Sequence, residues 1–422
     1  MWILALGGVL ACALFSEPQD SGLGPSYGDC DPDIKVPTGV LADVDTVDAD
    51  RHQDVLGAAP TPFHVHYSWP DRDPSRSGAF LWRTDVDTLA TQIQISKTSA
   101  WPDGAEVVHG RSFLFGSGTV GEGTHRMHEV RLCGTLEPNT TYTYRVGGEG
   151  AWSPAYEFST PGAPGTFESF RVAMAGDSRG AYDTWEASLV AMEAHDPDFY
   201  LFSGDMVQLG INQAEWDAWF DASGELFASK ALVTAHGNHE FLAQNYFAQF
   251  AFPGNEEWFA IDYGNLLLLT LNDTVAGKEL VETVQPEFMD AVLSASDSDW
   301  QIAMHHQAAY SACTVHGSSE AVQDAWVPVW DAHEVDLVLA GHNHIYERSV
   351  PIRDGVEAAD GTVYVVSGGA GAPLYSDVDE SWFGAVANPI EHYVILDFTP
   401  GRIEAVVRDL EGNVLDQFVI ER

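Results

Sequence analysis

Five short apolar runs constrain this 422-residue chain more than anything else in it. They are "FRVAMAGD" (170–177), "YLFSGD" (200–205), "VTAHGNH" (233–239), "WQIAMHH" (300–306) and "VDLVLAGHNH" (335–344). None alternates apolar with polar, so each reads as a strand buried on both faces and halted by glycine or by a polar side chain. A helix-like segment, "AYDTWEASLVAMEAHD", separates the first two. From Phe170 onward the chain therefore reads as an α/β domain of layered sheets with flanking helices. In such sheets ligands gather outside the carboxyl ends of the strands. The run ends would deliver Asp177, Asp205, Asn238, His239, His305 or His306, His342 and His344 to one rim. Taken singly these motifs are weak: Gly-Asp after a strand is usually a turn, and a lone His-x-His often caps one. Together and in order they make a mixed oxygen and nitrogen donor set. It suits Zn, Fe or Mn rather than thiophilic ions, with donors enough for two ions and too many for one.

Charge narrows the partners. Asp and Glu number 63 against 19 Lys and Arg, a formal net charge of −44. Such a surface repels nucleic acid and anionic lipid, which excludes both as broad-surface partners. The acidity fits either a saline habitat or ordinary solubility.

Residues 1–15 hold an apolar run too short to span a bilayer but suited to an export signal, although no basic stretch precedes it. "VLAC" is similar to a bacterial lipobox, which leaves a lipid anchor at Cys12 and plain secretion as alternatives. The expected location is accordingly periplasmic, on the outer membrane as a lipoprotein, or extracellular. Three other cysteines, Cys30, Cys133 and Cys313, allow one disulfide, and the sequence leaves the pair open. Residues 16–60, rich in Asp, Pro and Gly, read as a solvated acidic linker without a membrane-spanning helix.

Residues 61–162 carry short alternating or aromatic runs between turn residues, an all-β pattern. "LCGTLEPNTTYTYRVG" resembles the tyrosine-corner segment of a fibronectin type III sandwich, with Tyr142 and Tyr144 at alternate positions. The α/β domain then spans 167–422.

With these blocks in place, the sequence resembles the calcineurin-like metallophosphoesterases, and among them the purple acid phosphatases. The likeness runs over roughly residues 60–400 and rests on "GDSRG", "GDMVQLG", "GNHE", "WQIAMHHQAAY", "GHNHIYERS" and "GTVYVVSGGAGAPLY". It implies Asp177 and His344 on a first metal, Asn238, His306 and His342 on a second, and Asp205 bridging. Family spacing, six residues after Trp300 and four before Tyr310, selects His306 over His305. Two positions depart from the family pattern: Arg179 stands where many members have a histidine, and Gln208 where purple members have a tyrosine ligand. The resemblance thus implies a first ion with fewer protein ligands, or one using the Gln208 carbonyl, and no tyrosinate colour. Tyr182 is the nearest substitute phenol along the chain.

Two ions at such a rim activate water and polarise a phosphoryl group. The expected function is an exported dinuclear phosphatase acting on a small phosphomonoester. His239 is the candidate acid or orienting residue. His316 is set over the substrate phosphate by the resemblance, in both a catalytic and a binding role. Arg179 is either a phosphate clamp or a surface arginine. The alternatives are a phosphodiesterase or nucleotidase on the same metals, and a non-catalytic cell-surface binding protein.

Overall fold

The computed structural model describes Cys30 and residues 46–116, 123–166, 169–274 and 277–422. The export-like segment, Cys12 and most of the expected linker lie outside the described residues. Among the described residues, no helix is long and apolar enough to cross a membrane.

The N-terminal part is a β-sandwich. One sheet runs Thr46–Val47, Arg111–Phe115, His125–Leu132, Gly78–Thr84, Phe63–Ser68; the other runs Tyr156–Ser159, Thr141–Gly148, Gln92–Lys97, Glu106–His109. Pairing between neighbours is antiparallel in both. Alternate residues pack inward, among them Phe80, Trp82, Ile93, Ile95, Tyr144 and Phe158. The tyrosine corner forms: the Tyr142 hydroxyl accepts a hydrogen bond from the Glu137 N–H at 2.9 Å. Residues 46–60 correct the expectation of a solvated linker. Thr46 pairs with Phe113, the Val55 carbonyl accepts from Leu89 and Ala90, and the Gln53 side chain accepts from Thr91. Backbone groups next to an open sheet edge gain partners this way, which outweighs the pull of solvent on a few aspartates. Cys30 and Cys133 form the disulfide, and Cys313 is buried and unpaired.

The α/β part has the layered sheets expected from the sequence, and the five ligand-bearing strands divide between two of them. Phe170–Ala175, Phe199–Phe202 and Ala231–Thr234 lie parallel in one. It continues antiparallel through His392–Thr399, Arg402–Asp409 and Val414–Glu421. Trp300–Gln307 and Leu337–Gly341 lie parallel in the other, between Leu266–Thr270 and Val363–Ser367. The two-residue period of a strand sorts each apolar run onto two faces. Leu266, Leu268, Ile302, Met304, Leu337 and Leu339 pack between the sheets. Leu267, Leu269, Ala303 and Val338 face an outer helical layer with Met289, Val292, Trp326 and Trp330. Helices Tyr182–Glu193 and Gln213–Ser223 cover the other sheet through Trp185, Leu189 and Trp219. The result is a helix–sheet–sheet–helix stack, each large buried side chain contributing roughly 1.5–3 kcal/mol relative to exposure.

The β-sandwich docks on this stack through polar anchors. Arg72 forks onto Asp262 at 2.8 and 3.1 Å, Arg83 meets Asp217, and the Tyr144 hydroxyl donates to the Ala228 carbonyl at 2.7 Å.

Candidate metal centre

The carboxyl ends of both parallel strand sets open on the same side of the stack. Asp205, His306 and His342 offer one cluster of ligand atoms, and Asp177, Asp205 and His344 a second, each within 4.8 Å. Asp205 is common to both. Asn238 joins the first cluster, its Oδ1 lying 3.1 Å from His306 Nε2. All six residues that the sequence nominates as ligands are thus brought together.

Local geometry shows why these elements hold them so. Asp177, Asp205 and His342 have φ of 60°, 58° and 67°, a left-handed conformation uncommon outside glycine. Each turns the chain sharply at a strand end, so the side chain folds back over the rim. Gly341 makes room for the first carboxylate, since a Cβ there would lie 2.4 Å from Asp177 Oδ2. Gly237 does the same for Asp205, with 2.4 Å to Oδ1. The adjacent histidines separate by alternation, sharpened by a bulge between Met304 and Gln307. His306 turns inward, its Nε2 3.3 Å from Asp205 Oδ1 and 3.2 Å from His342 Nδ1. His305 turns outward to Asp273 at 2.8 Å, between the rings of Trp326 and Trp330.

Ring tautomers are fixed from behind. The Nδ1–H of His306 donates to the Ser203 carbonyl and that of His344 to the Pro373 carbonyl, both at 2.7 Å. Each Nε2 lone pair therefore faces the cluster, as a metal-ligating imidazole requires. Electrostatics agree that the cluster needs positive charge. Burial pushes the Asp177 carboxyl up to about 8, helped by nearby Asp205. Burial opposes charge on His306, yet Asp205 and Asp177 raise it to about 10. Burial keeps His342 and His344 neutral, His344 at about 4. Imidazoles and buried carboxylates converging in this way fit a pair of metal cations.

The surrounding candidates fall as follows. His239 donates from Nδ1 to the Gln208 carbonyl at 2.7 Å, its Nε2 being 3.9 Å from Asp205 Oδ2. The exposed His316 ring lies 4.1 Å from that of His342, and its Nε2 is 3.4 Å from the Tyr375 hydroxyl. Burial and the charges of Arg179 and His306 lower the His316 pKa. Arg179 sits against the Asp177–Asp205–His344 cluster rather than on the open surface. The Tyr182 hydroxyl, the substitute phenol named from the sequence, donates instead to Glu215 at 3.2 Å.

Sequence reasoning passed over several contributors. Glu240, the last residue of "GNHE", accepts backbone N–H groups of Asp205, Met206 and Gly237 at 2.7–2.9 Å and ties two ligand loops together. Burial, with Asp205 adding, pushes its carboxyl up to about 7. Its position in the motif was the available signal. Tyr375 stacks on His344 at 4.2 Å, and the Ser203 and Pro373 carbonyls orient the imidazoles. Backbone acceptors leave no trace in residue type.

Comparison with known proteins agrees with this geometry. Residues 170–346 match the calcineurin-like phosphoesterase family model, and residues 62–160 that of the purple acid phosphatase N-terminal domain. Purple acid phosphatase 22 of Arabidopsis thaliana is 25% identical over 330 residues, covering 74% of this chain and 72% of its own. The structure of purple acid phosphatase PPD1 from yellow lupin (Lupinus luteus) seeds shares the fold. Its TM-score is 0.75 at 21% identity, over 86% of this chain and 75% of that one. A structure of PhoD does so at 0.65 and 15% identity, over 86% and 91%. A purple acid phosphatase-type β-domain leading into a calcineurin-like domain places the chain in the purple acid phosphatase-like branch of the calcineurin-like metallophosphoesterases, as a metal-dependent phosphoester hydrolase.

Proposed function

We propose that the chain is an exported phosphatase hydrolysing phosphomonoesters. Asp177 and His344 would hold a first ion and Asn238, His306 and His342 a second, with Asp205 available to both. The observation that carries this reading is the pair of ligand clusters with Asp205 in common. When bound, two ions drawn from Fe, Zn or Mn supply Lewis acidity to the phosphoryl oxygens and lower the pKa of water.

The chain's own residues do the rest. Asp205 sets the spacing of the two groups, and Glu240 holds its loop through two N–H bonds. With Nδ1–H committed to the Gln208 carbonyl, His239 presents Nε2 to the site. There it takes a proton from water or, once protonated, gives one to the leaving oxygen. His316, beside His342, and Arg179 border the same opening. His316 and Arg179 would face the non-bridging phosphoryl oxygens, while His239 serves the water or the leaving oxygen. The likeness to a purple acid phosphatase supports the monoester over the diester or nucleotide reading. The Cys30–Cys133 disulfide supports export, because such bonds persist in oxidising compartments. The division into residues 61–162 and 167–422 assigns the chemistry wholly to the second part.

Metal analysis of the purified chain with paired aryl phosphate substrates tests the proposal. Two ions and faster hydrolysis of the monoester are expected. A faster diester would make it a phosphodiesterase, and a metal-loaded but inert protein would make it a binding protein.

A further inference from the structure

The two positions that depart from the family's ligand pattern meet in space. Arg179 Nη1 donates to Gln208 Oε1 at 2.8 Å, Nη2 donates to His344 Nε2 at 3.2 Å, and Nε lies 3.3 Å from Asp205 Oδ2. The guanidinium thus touches two of the three side chains of the Asp177–Asp205–His344 cluster. Its contact with His344 is decisive. That ring donates its Nδ1–H to Pro373, so Nε2 has a single lone pair, and a lone pair serves one acceptor bond or one metal bond. A guanidinium has no acceptor and stays charged at any ordinary pH, so it does not vacate the position by losing a proton.

The other cluster has no such occupant. His342 Nδ1, His306 Nε2, Asn238 Oδ1 and Asp205 Oδ1 face one another directly at 3.1–3.3 Å. We propose that Arg179 is a built-in rival of the first metal ion: guanidinium and ion exclude each other at His344 and Asp205, so the second site fills first and the first fills only when Arg179 swings out. Gln208, in the position of the family's tyrosine ligand, is the anchor that holds the rival in place. The displaced guanidinium remains two residues from Asp177, where it clamps a phosphoryl oxygen. Occupancy of the first site, and with it the state of the enzyme, then depends on free metal concentration.

This inference rests on the two-metal reading above, and the test separates them. The metal-free full-length chain is titrated with Zn2+ alone by calorimetry, and bound metal is counted after dialysis. The wild type should bind in two unequal steps, roughly tenfold or more apart, as expected for a fixed cation within a few ångströms of the weaker site. Arg179→Ala should strengthen only the weaker step, by about that factor. Gln208→Ala keeps the charge but removes the anchor, so it should shift the same step in the same direction by less; it also serves if Arg179→Ala misfolds. Two equal steps in the wild type, or a weaker step unmoved in both variants, overturns the proposal and leaves the phosphatase reading standing. Absence of any binding overturns both.

Discussion

His305 and His306 are adjacent in one strand, fully buried, and face opposite layers, so removing each should have different consequences. His305 pairs with Asp273, itself 1% exposed, and Asp273 Oδ2 also accepts the Gln307 N–H at 2.6 Å. His305→Ala leaves that carboxylate short of a partner in a dry environment and opens a space beside Trp326 and Trp330. Breaking a buried pair costs about 3–5 kcal/mol. His306→Ala loses the hydrogen bond to the Ser203 carbonyl and the contacts of Nε2 with Asn238 and Asp205, which in the metal-free chain also breaks a buried pair, at a cost of the same order. It also removes two carboxylate neighbours' source of positive charge and one ligand of the second ion. In metal-free protein, urea unfolding should therefore find both variants clearly destabilised. Metal content should separate them: His305→Ala retains both ions and His306→Ala loses the second. The double variant His305→Phe/Asp273→Asn should recover much of the loss, because an apolar ring suits the tryptophan pocket and Asn still accepts from Gln307. A metal-depleted His305→Ala beside a metal-replete His306→Ala would refute the assignment of faces. A stability cost below about 1 kcal/mol for His305→Ala would refute the energetic reasoning.

Three further outcomes are expected. With a net charge of −44, kcat/KM for an anionic phosphoester should rise from low to moderate salt as repulsion is screened to about 8–10 Å, and a monotonic fall would show a locally basic approach. Iron-loaded protein should show no strong tyrosinate band, since Tyr182 is engaged with Glu215 and burial raises the pKa of Tyr375, which lies face-on to His344; a visible band abolished by Tyr375→Phe would contradict this. Burial pushes Glu257 up to about 7, against the opposing bond from Asn272, so its contribution is complete at low pH and is lost as pH rises through about 7. Glu257→Gln should then be more stable than wild type at about pH 8, by about 1–2 kcal/mol after allowing for its partial exposure, with no difference at about pH 4.

What was legible in the sequence follows from where physical chemistry restricts residue choice. Doubly buried strands admit only apolar residues, so "VDLVLAG" and "YLFSG" announce themselves. A rim that binds cations admits only a few side-chain types, so Asp177, Asp205, His342 and His344 do too. Sheet membership is not restricted in this way. Both parallel sets have the same composition, and nothing in Ala231–Thr234 or Leu337–Gly341 says that they belong to different sheets. The three long antiparallel strands from His392 onward went unread because their pairing is non-local until the hairpins are built. The Cys30–Cys133 pair joins residues 103 apart in sequence, beyond the reach of any spacing rule. Arg179 and Gln208 were visible as two separate departures, but only three-dimensional contact shows that each accounts for the other.

The site also explains why its neighbourhood must be so firmly packed. Three candidate ligands adopt left-handed backbone conformations, each costing of order 1–3 kcal/mol outside glycine. Two buried carboxylates lie close enough for one to raise the other's pKa, which adds repulsion to strain. Neither burden would persist on a free loop. Here the Asp205 turn is tied down by Glu240, the His342 N–H is bonded to Asp177 at 2.9 Å, and every ligand loop starts from a strand with both faces covered. Cations held in this rim would relieve the repulsion. By mass action they stabilise the folded chain over the unfolded one, which keeps no such cluster. Ion binding and folding are thus coupled through the same few residues, and the strain at Asp177, Asp205 and His342 is the structural form that coupling takes.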